Sequence, residues 1–475
     1  SSTSHVNYKI LILRVGYDNM KHGLINPVED VINNRTPKRV GKGDRYTPRP
    51  FQPPGDDKAY LCYCTVVDNA NGEYYMFTEN NEDAFEGGTI VEFRYDKTKD
   101  EFRKWIPIRV RYDKTAEYRK GLKNYGNAYH VALSVWRSIH NPVTKEMISQ
   151  GKNIPDQLMD TDIYYNSSKE THTRALRDFH NKCVKKKLYE MVCKGGETLI
   201  DFAVGKAGDL HKWINVKCSF IFGMDISRDN IENRKDGACA RYLYSKMKKE
   251  IFGALFIQGD SAKNIRSGGA CFTEKGKNIT RAIFGEGVKE KGKIGETAFN
   301  NYGIGIHGFN VVSCQFALHY FFKSEEVLTG FLKNVKECCK KDGFFIGTSY
   351  DGKKLFNKLK DIGKGESISA YEGDFKIWEI IKQYDDDEFQ HTGLAIDVYQ
   401  ESINSYWREY LVDYDYLTEK LLEHGLVPHM GGVSTFEAIH QQIDDRKNIG
   451  AAKEMSTVEK KISFLNNYFI YKKIN

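Results

Sequence analysis

Five short apolar runs recur between residues 198 and 348, alternating with stretches of helical texture. They are Thr198–Val204, Phe220–Asp225, Ala254–Gly259, Asn310–Cys314 and Phe344–Thr348. Strands that are apolar throughout are covered on both faces, and helical connections bring each one back in the same direction. The pattern therefore predicts an α/β fold, a mostly parallel sheet flanked by helices. Between the last two runs, Ser324 can cap a helix whose first turn carries Glu325 and Glu326. Its apolar positions Val327, Leu328, Phe331, Leu332 and Val335 recur at helical spacing, and Gly343 is expected to close it. Residues 262–308 interrupt the alternation with Gly- and Lys-rich sequence and are expected to form a long surface loop.

The first 150 residues have another texture. Short β-like runs at Tyr60–Val67, Thr89–Phe93 and Ile106–Arg111 are separated by turn-forming residues at 68–72 and 95–100. A small β-barrel is the expected form. Polar residues from about 141 to 172, with Pro142, Gly151 and Pro155, suggest a linker. A chain of 475 residues exceeds one ordinary core, so several domains are expected. The resulting division is 1–150, a linker at 151–172, and an α/β domain at 173–475.

The first of the five runs ends in DFAVGKAGDLHKW, Asp201 to Trp213. Gly205 and Gly208 follow a strand and precede a helix, the setting in which backbone approaches a bound nucleoside closely. Asp225 ends the second run 20 residues past Gly205, the usual distance for an acid that accepts from ribose hydroxyls. Asp260 ends the third, where an adenine amine could donate to it. The dinucleotide fingerprint GxGxxG is absent, and a carboxylate at Asp209 would repel a pyrophosphate. That acid suits a ligand with positive charge, such as the amino group and sulfonium of S-adenosylmethionine. The plainer alternative is a tight turn beside solubilising acids, but three acids at successive strand ends favour the cofactor.

The ten cysteines include no CxxC pair, which speaks against a zinc cluster or disulfide framework and for reduced thiols inside a cell. No metal is expected. No apolar run is long enough to span a membrane, and the first residues lack the pattern of a secretion signal. A cytoplasmic protein is expected. A net charge of +7 is compatible with a polyanionic partner.

GKAGDLHKW, GMDIS, QGDS and above all VVSCQFALHYFF (Val311–Phe322) resemble the mRNA cap guanine-N7 methyltransferases, from about Arg177 to the C-terminus. The resemblance implies a Rossmann-like class I methyltransferase domain that uses S-adenosylmethionine and releases S-adenosylhomocysteine. It places Gly205, Asp209, Asp225, Asp260, Ser261, Gln315 and Lys185 around that cofactor. From Asn181 to Lys185 the spacing is one residue longer than in the family. The resemblance gives Asn181, Arg241, His319, Tyr320, Glu409 and Tyr468 to the cap, with His319, Tyr320 and Glu409 at the reacting guanine. Glu409, in REYLV, would read the guanine edge, and Arg241 would lie near the triphosphate. In NNYFIYKK, Tyr468 rather than Tyr471 would face guanine.

WIPIRVRYDKT (Trp105–Thr115), followed by NPVTKEMI, resembles the last motif of the OB domain in GTP–RNA guanylyltransferases. Arg109, Arg111, Asp113 and Lys114 would then face GTP phosphates. The two resemblances in this order match the multifunctional capping enzymes of large cytoplasmic DNA viruses, of the poxvirus and African swine fever virus type. They imply an all-β OB-fold domain before the methyltransferase and a C-terminal piece of a longer enzyme. Partners would be the 5′ end of GpppN-RNA and the guanylyltransferase and triphosphatase domains of the same chain, at a viral factory or in the virion. Lys340-Lys341-Asp342-Gly343 fits the KxDG motif of nucleotidyl transfer, but a cationic helix end closed by glycine is the expected reading.

Guanine N7 carries no proton, so methylating it needs no general base, only in-line positioning and a suitable field. Alternatives remain at this stage. His319 could be packing, Gln315 a strand cap, Asn181 a helix cap, and Phe316, Phe321 and Phe322 are expected in the core. The cations of the insertion, Lys263, Arg266, Lys275, Lys277, Arg281, Lys289, Lys291 and Lys293, could bind RNA or be a solvated loop. A catalytically idle cap- or RNA-binding subunit, or another S-adenosylmethionine-dependent RNA or small-molecule methyltransferase, are the rival functions.

Overall fold

The computed structural model describes residues 7–38, 46–53, 58–68, 74–80, 82–122, 126–140, 172–401, 403–443 and 449–474, with residues 56, 142, 145 and 149. The chain divides into two units, Ser1–Ile25 with Lys38–Leu158, and Asn26–Pro37 with Met159–Asn475. The turn at 68–72 and the linker at 151–172 lie, apart from Asp68 and His172, outside the described residues.

The larger unit is built on seven strands: β1 (Thr198–Asp201), β2 (Phe220–Asp225), β3 (Gly253–Gln258), β4 (Phe309–Gln315), β5 (Cys339–Tyr350), β6 (Leu426–Thr435) and β7 (Asn466–Lys473). They lie in the order β3-β2-β1-β4-β5-β7-β6. The five runs seen in the sequence are the parallel strands, and β7 enters antiparallel between β5 and β6. Every residue of β2 is buried, as an apolar strand covered on both faces requires. The chain moves outward from β1 to β3 and returns to β4, so a crevice opens beyond the carboxyl ends of β1 and β4. A second, antiparallel sheet runs Ser367–Glu372, Phe375–Lys382, Ala395–Gln400, Ser405–Tyr410.

The helix expected after Ser324 spans Glu325–Cys338, with the Ser324 hydroxyl accepting from the Val327 amide. It ends earlier than Gly343. Lys340–Gly343 belongs to β5, and Asp342 rather than Gly343 takes a positive φ, +62°. The cation at the helix end comes from β7: Lys473 Nζ donates to the carbonyls of Lys336 and Cys339.

The insertion is not a loop. Glu274–Ile283 and Lys291–Asn300 are helices that bury Ile279, Ile283, Ile294 and Ala298. Its cations are largely paired: Arg266 with Glu286, Lys275 with Glu29, Lys277 with Glu274, Lys291 with Glu296, Lys293 with Glu290, and Lys263 at 4.0 Å from Asp260. Lys289 lies over the rings of Phe299 and Tyr302.

In the smaller unit the expected strands appear as Leu61–Asp68, Val91–Tyr95 and Trp105–Val110. Three antiparallel sheets, of four, two and two strands, enclose one apolar cluster around Tyr17, Phe51, Tyr129 and Trp136 and another around Cys64, Met76, Phe85 and Val110. Arg109 pairs with Glu92, Arg111 with Asp113, and Lys114 with Glu117. No described helix is long and apolar enough to cross a membrane.

Candidate functional site

The loop after β1 turns on two left-handed residues, Gly205 (φ +53°) and Ala207 (φ +52°), rather than on the two glycines. A Cβ placed on Gly205 or Gly208 would meet no atom within 4 Å, so the backbone faces open space. Behind it, Asp209 Oδ1 bonds Lys185 Nζ at 2.6 Å and Lys212 Nζ at 2.9 Å. Burial pushes the Asp209 carboxyl up, but the two ammonium groups override this and hold it far below the usual range. The Tyr189 hydroxyl donates to Asp209 Oδ2 at 3.0 Å and lies 3.1 Å from Ser313 Oγ. Gln315 donates to that same Oγ and accepts from Thr348, whose Oγ1 also takes the Phe316 amide. One hydrogen-bonded chain thus links the loop to the end of β4. Asp201 sits beneath it, pushed up to about 7 by burial and then by Asp209.

Lys185 reaches this position from a π-helical turn, Phe179–Lys185. A π turn accommodates one residue more than an α turn, the room that the longer spacing expected between Asn181 and Lys185 requires. Asn181 caps no helix end: its Oδ1 accepts from Lys212 Nζ and its Nδ2 donates to the Arg177 carbonyl in the preceding helix, Arg174–Asp178.

Asp225 holds the loop from the other side. Its Oδ2 accepts from the Gly205 amide at 2.8 Å, and its Oδ1 accepts from the Ser227 amide and Asn230 Nδ2. Asp260 forms a tight turn onto the Ala262 amide, and the buried Ser261 hydroxyl donates to the Phe202 carbonyl.

A cleft of about 580 Å³ opens over the loop. Asn181, Lys185, Gly205, Asp209, Arg241, Gln315, His319 and Glu409 line it, whereas Asp225, Asp260, Ser261, Tyr320 and Tyr468 stand outside its wall. Glu409 comes from the edge strand Ser405–Tyr410, where Tyr406 and Arg408 point out and Glu409 points in. His319 comes from the short helix Leu318–Phe321. Each is 4% exposed, with Nε2 and Oε1 3.6 Å apart. Burial lowers His319 to about 3 and raises Glu409 to about 8, so the imidazole is neutral and the carboxyl resists ionisation. Among the described residues, His319 Nε2 and Glu409 Oε2 have no hydrogen-bond partner although both are buried. Orphaned buried polar atoms are costly, and a pair of them facing a cleft marks a place for a ligand's polar edge.

The model of the mRNA (guanine-N(7))-methyltransferase domain matches residues 156–270 and 294–461. This chain belongs to that family. A second model, the mRNA capping enzyme C-terminal domain, matches residues 63–149. Among relatives, a probable mRNA-capping enzyme of Acanthamoeba polyphaga mimivirus is 32% identical over 375 residues, covering 73% of this chain and 30% of that protein. The mRNA cap guanine-N(7) methyltransferase of Candida glabrata is 30% identical over 196 residues, 40% of this chain and 37% of the relative. The chain therefore spans about a third of the length of each of these two relatives. The seven-stranded sheet is the class I, Rossmann-like fold of this methyltransferase family.

Within the family frame, several wall residues escaped the sequence reading. Phe316, expected in the core, instead lines the cleft with φ +53°. Its ring stacks on His180 at 5.1 Å, and Lys185 Nζ stands 5.8 Å from its centroid. Phe321 and Phe322 are buried as expected. Lys212, Ser349 and Tyr350 also form the wall. The SCQFALHY run and the KW pair after Asp209 were the available signals for Phe316 and Lys212. Tyr468 pairs across β7 with Thr348, the partner of Gln315, while the Tyr471 hydroxyl bonds Thr418 in the helix Tyr414–Glu423.

Proposed function

We propose that the chain transfers the methyl group of S-adenosylmethionine to N7 of the guanosine cap of GpppRNA. The observation that carries this reading is the buried pair His319 and Glu409, each with an unused polar atom facing the cleft. A guanine edge offers N1–H and N2–H₂ to a carboxylate, and an imidazole beside it supplies one further polar contact. The bare backbone at Gly205 and Gly208 fits a nucleoside cofactor lying on the loop. Bound there, S-adenosylmethionine supplies an electrophilic methyl on a sulfonium.

In this reading Lys185 meets the cofactor carboxylate and Asp209 its ammonium. Asp225 serves the ribose, Asp260 and Ser261 the adenine, and Gln315 closes the cofactor site. Asn181, Arg241, Tyr320 and Tyr468 attend the cap. No residue has to remove a proton, because N7 carries none. His319, neutral at physiological pH, acts as a positioning group rather than a base. Glu409 works twice. Its carboxylate accepts from the guanine edge and stabilises the positive charge that methylation leaves on the ring. Adenine would leave it unpaired, a penalty of roughly 1–3 kcal/mol.

The first 150 residues, without residues 26–37, which belong to the other unit, are read as the OB-fold domain of a guanylyltransferase, with residues 151–172 as linker. Further capping domains and the 5′ end of RNA are the partners, in the cytoplasm of an infected cell. With labelled donor, GpppG-RNA should accept methyl and ApppG-RNA should not. Transfer to neither, or equally to both, refutes the assignment.

A further inference from the structure

Residues 26–37 lie far from the methyltransferase in sequence but belong to its structural unit. Their helix, Pro27–Ile32, packs against helices Arg228–Glu232, Ala238–Lys246 and Lys291–Asn300 and against β3. Val31 and Ile32 are buried there. Thr297 Oγ1 donates to the Val31 carbonyl at 2.6 Å, Lys246 Nζ bonds Asn34 Oδ1 at 2.7 Å, and Lys275 pairs with Glu29. Gly295 has φ +77°, and a Cβ on it would stand 2.3 Å from Ile32 Cγ2. The helix that receives Ile32 is thus shaped for it. Neither residues 26–37 nor residues 271–293 fall within the segments that match the methyltransferase family, yet the two touch each other.

We infer that residues 26–37 are a brace that positions the cofactor-binding acid Asp225. The route is short. The brace packs on Arg228–Glu232, whose Asn230 donates to Asp225 Oδ1, while Asp225 Oδ2 holds the Gly205 amide. Loosening the brace frees that helix, and with it the acid and the loop. The guanine-facing residues His319 and Glu409 are fixed by other elements, β4–β5 and the second sheet, and do not depend on it. Arg241 stands on the braced helix Ala238–Lys246, so a triphosphate contact through it follows the brace while the guanine contact does not. The brace therefore sets affinity for the methyl donor and leaves affinity for the guanine ring alone. This inference rests on the methyltransferase reading.

Ile32→Ala in a full chain that already carries Arg241→Gln, titrated separately with S-adenosylhomocysteine and with GpppG, tests it. S-adenosylhomocysteine should bind about 5- to 30-fold more weakly than to the Arg241→Gln parent, a loss of roughly 1–2 kcal/mol, with GpppG within twofold of that parent. Ile32→Val should recover most of the loss. Leu421→Ala, buried in the helix Tyr414–Glu423, serves as a control for loss of buried packing elsewhere in the unit and should change neither constant. If Ile32→Ala does not fold, Asn34→Ala with Thr297→Val takes its place, with the same expected split. Unchanged donor affinity, or equal weakening of both ligands, overturns the brace. A wild-type chain that binds no S-adenosylhomocysteine refutes the methyltransferase reading itself, and the brace falls with it.

Discussion

At the scale of single residues, Glu409 carries a measurable conflict between stability and function. Burial holds its carboxyl at about 8, above the ordinary 4.5, so between those values the native state binds a proton that the unfolded chain releases. Its contribution to stability is complete below pH 4.5 and is lost as pH rises through 8. Glu409→Gln should raise the melting temperature at pH 8 relative to wild type, with the gap closing towards pH 5, while abolishing methyl transfer. Recognition runs the other way, because accepting from N1–H and N2–H₂ needs the ionised form. Affinity for GpppG should climb up to about tenfold per pH unit below 8 and level off above it, with proton release visible by calorimetry in buffers of different ionisation heat. A flat profile between pH 6 and 8 would exclude this role. Asp201, near 7, also titrates in this window, so a slope that vanishes in Glu409→Gln identifies Glu409 as its source. The sequence showed Glu409 only through its family resemblance. Its inward orientation depends on the pairing of Glu409 with Ile396 in the preceding strand, and on which face of that hairpin the rest of the unit covers, which strand alternation alone does not say. Phe316 was hidden differently: an aromatic in an apolar run looks like core, and its positive φ cannot be read from side-chain spacing.

At the scale of elements, hydrophobic patterning located the five parallel strands within a few residues. It failed where a charged composition masked a short apolar stripe. Helix Glu274–Ile283 buries Ile279, Ala282 and Ile283, a helical spacing outweighed to the eye by glycine and lysine around it. Helix Glu325–Cys338 was placed well at its start, where Ser324 caps locally, and badly at its end, where the capping cation arrives from β7. Local chemistry is legible in sequence; chemistry supplied by a remote strand is not. The π turn Phe179–Lys185 yields a sharper expectation. If its extra residue is simply absorbed, deleting Lys182, which pairs only at the surface with Asp178, converts the turn to an α-helix with Lys185 still beside Asp209. Donor affinity should stay within about threefold of wild type, whereas Lys185→Ala should weaken it by one to two orders of magnitude, given its 2.6 Å charged contact. A deletion variant as weak as Lys185→Ala would mean the π geometry itself positions the lysine.

At the scale of the whole molecule, the question is where the net charge of +7 acts. The insertion holds many of the cations a sequence reader would assign to RNA, but Lys291 and Lys293 already face Glu296 and Glu290. A cation neutralised by a neighbouring acid gains little from a phosphate, because the new pair replaces an old one. Arg177 and Arg241 stand exposed on the cleft wall and form no ion pair among the described residues. Counterion release makes such pairing with phosphates visible as salt dependence, with a slope of about −0.7 per phosphate for single strands. Arg177→Gln with Arg241→Gln should therefore flatten the plot of log affinity for capped RNA against log salt by roughly 0.7 for each phosphate no longer neutralised. Lys291→Gln with Lys293→Gln should leave the slope and the affinity unchanged. The reverse result would place the RNA backbone on the insertion and leave the cleft to the cap alone. Paired acids, rather than the count of lysines, thus decide which face of this basic molecule meets a polyanion.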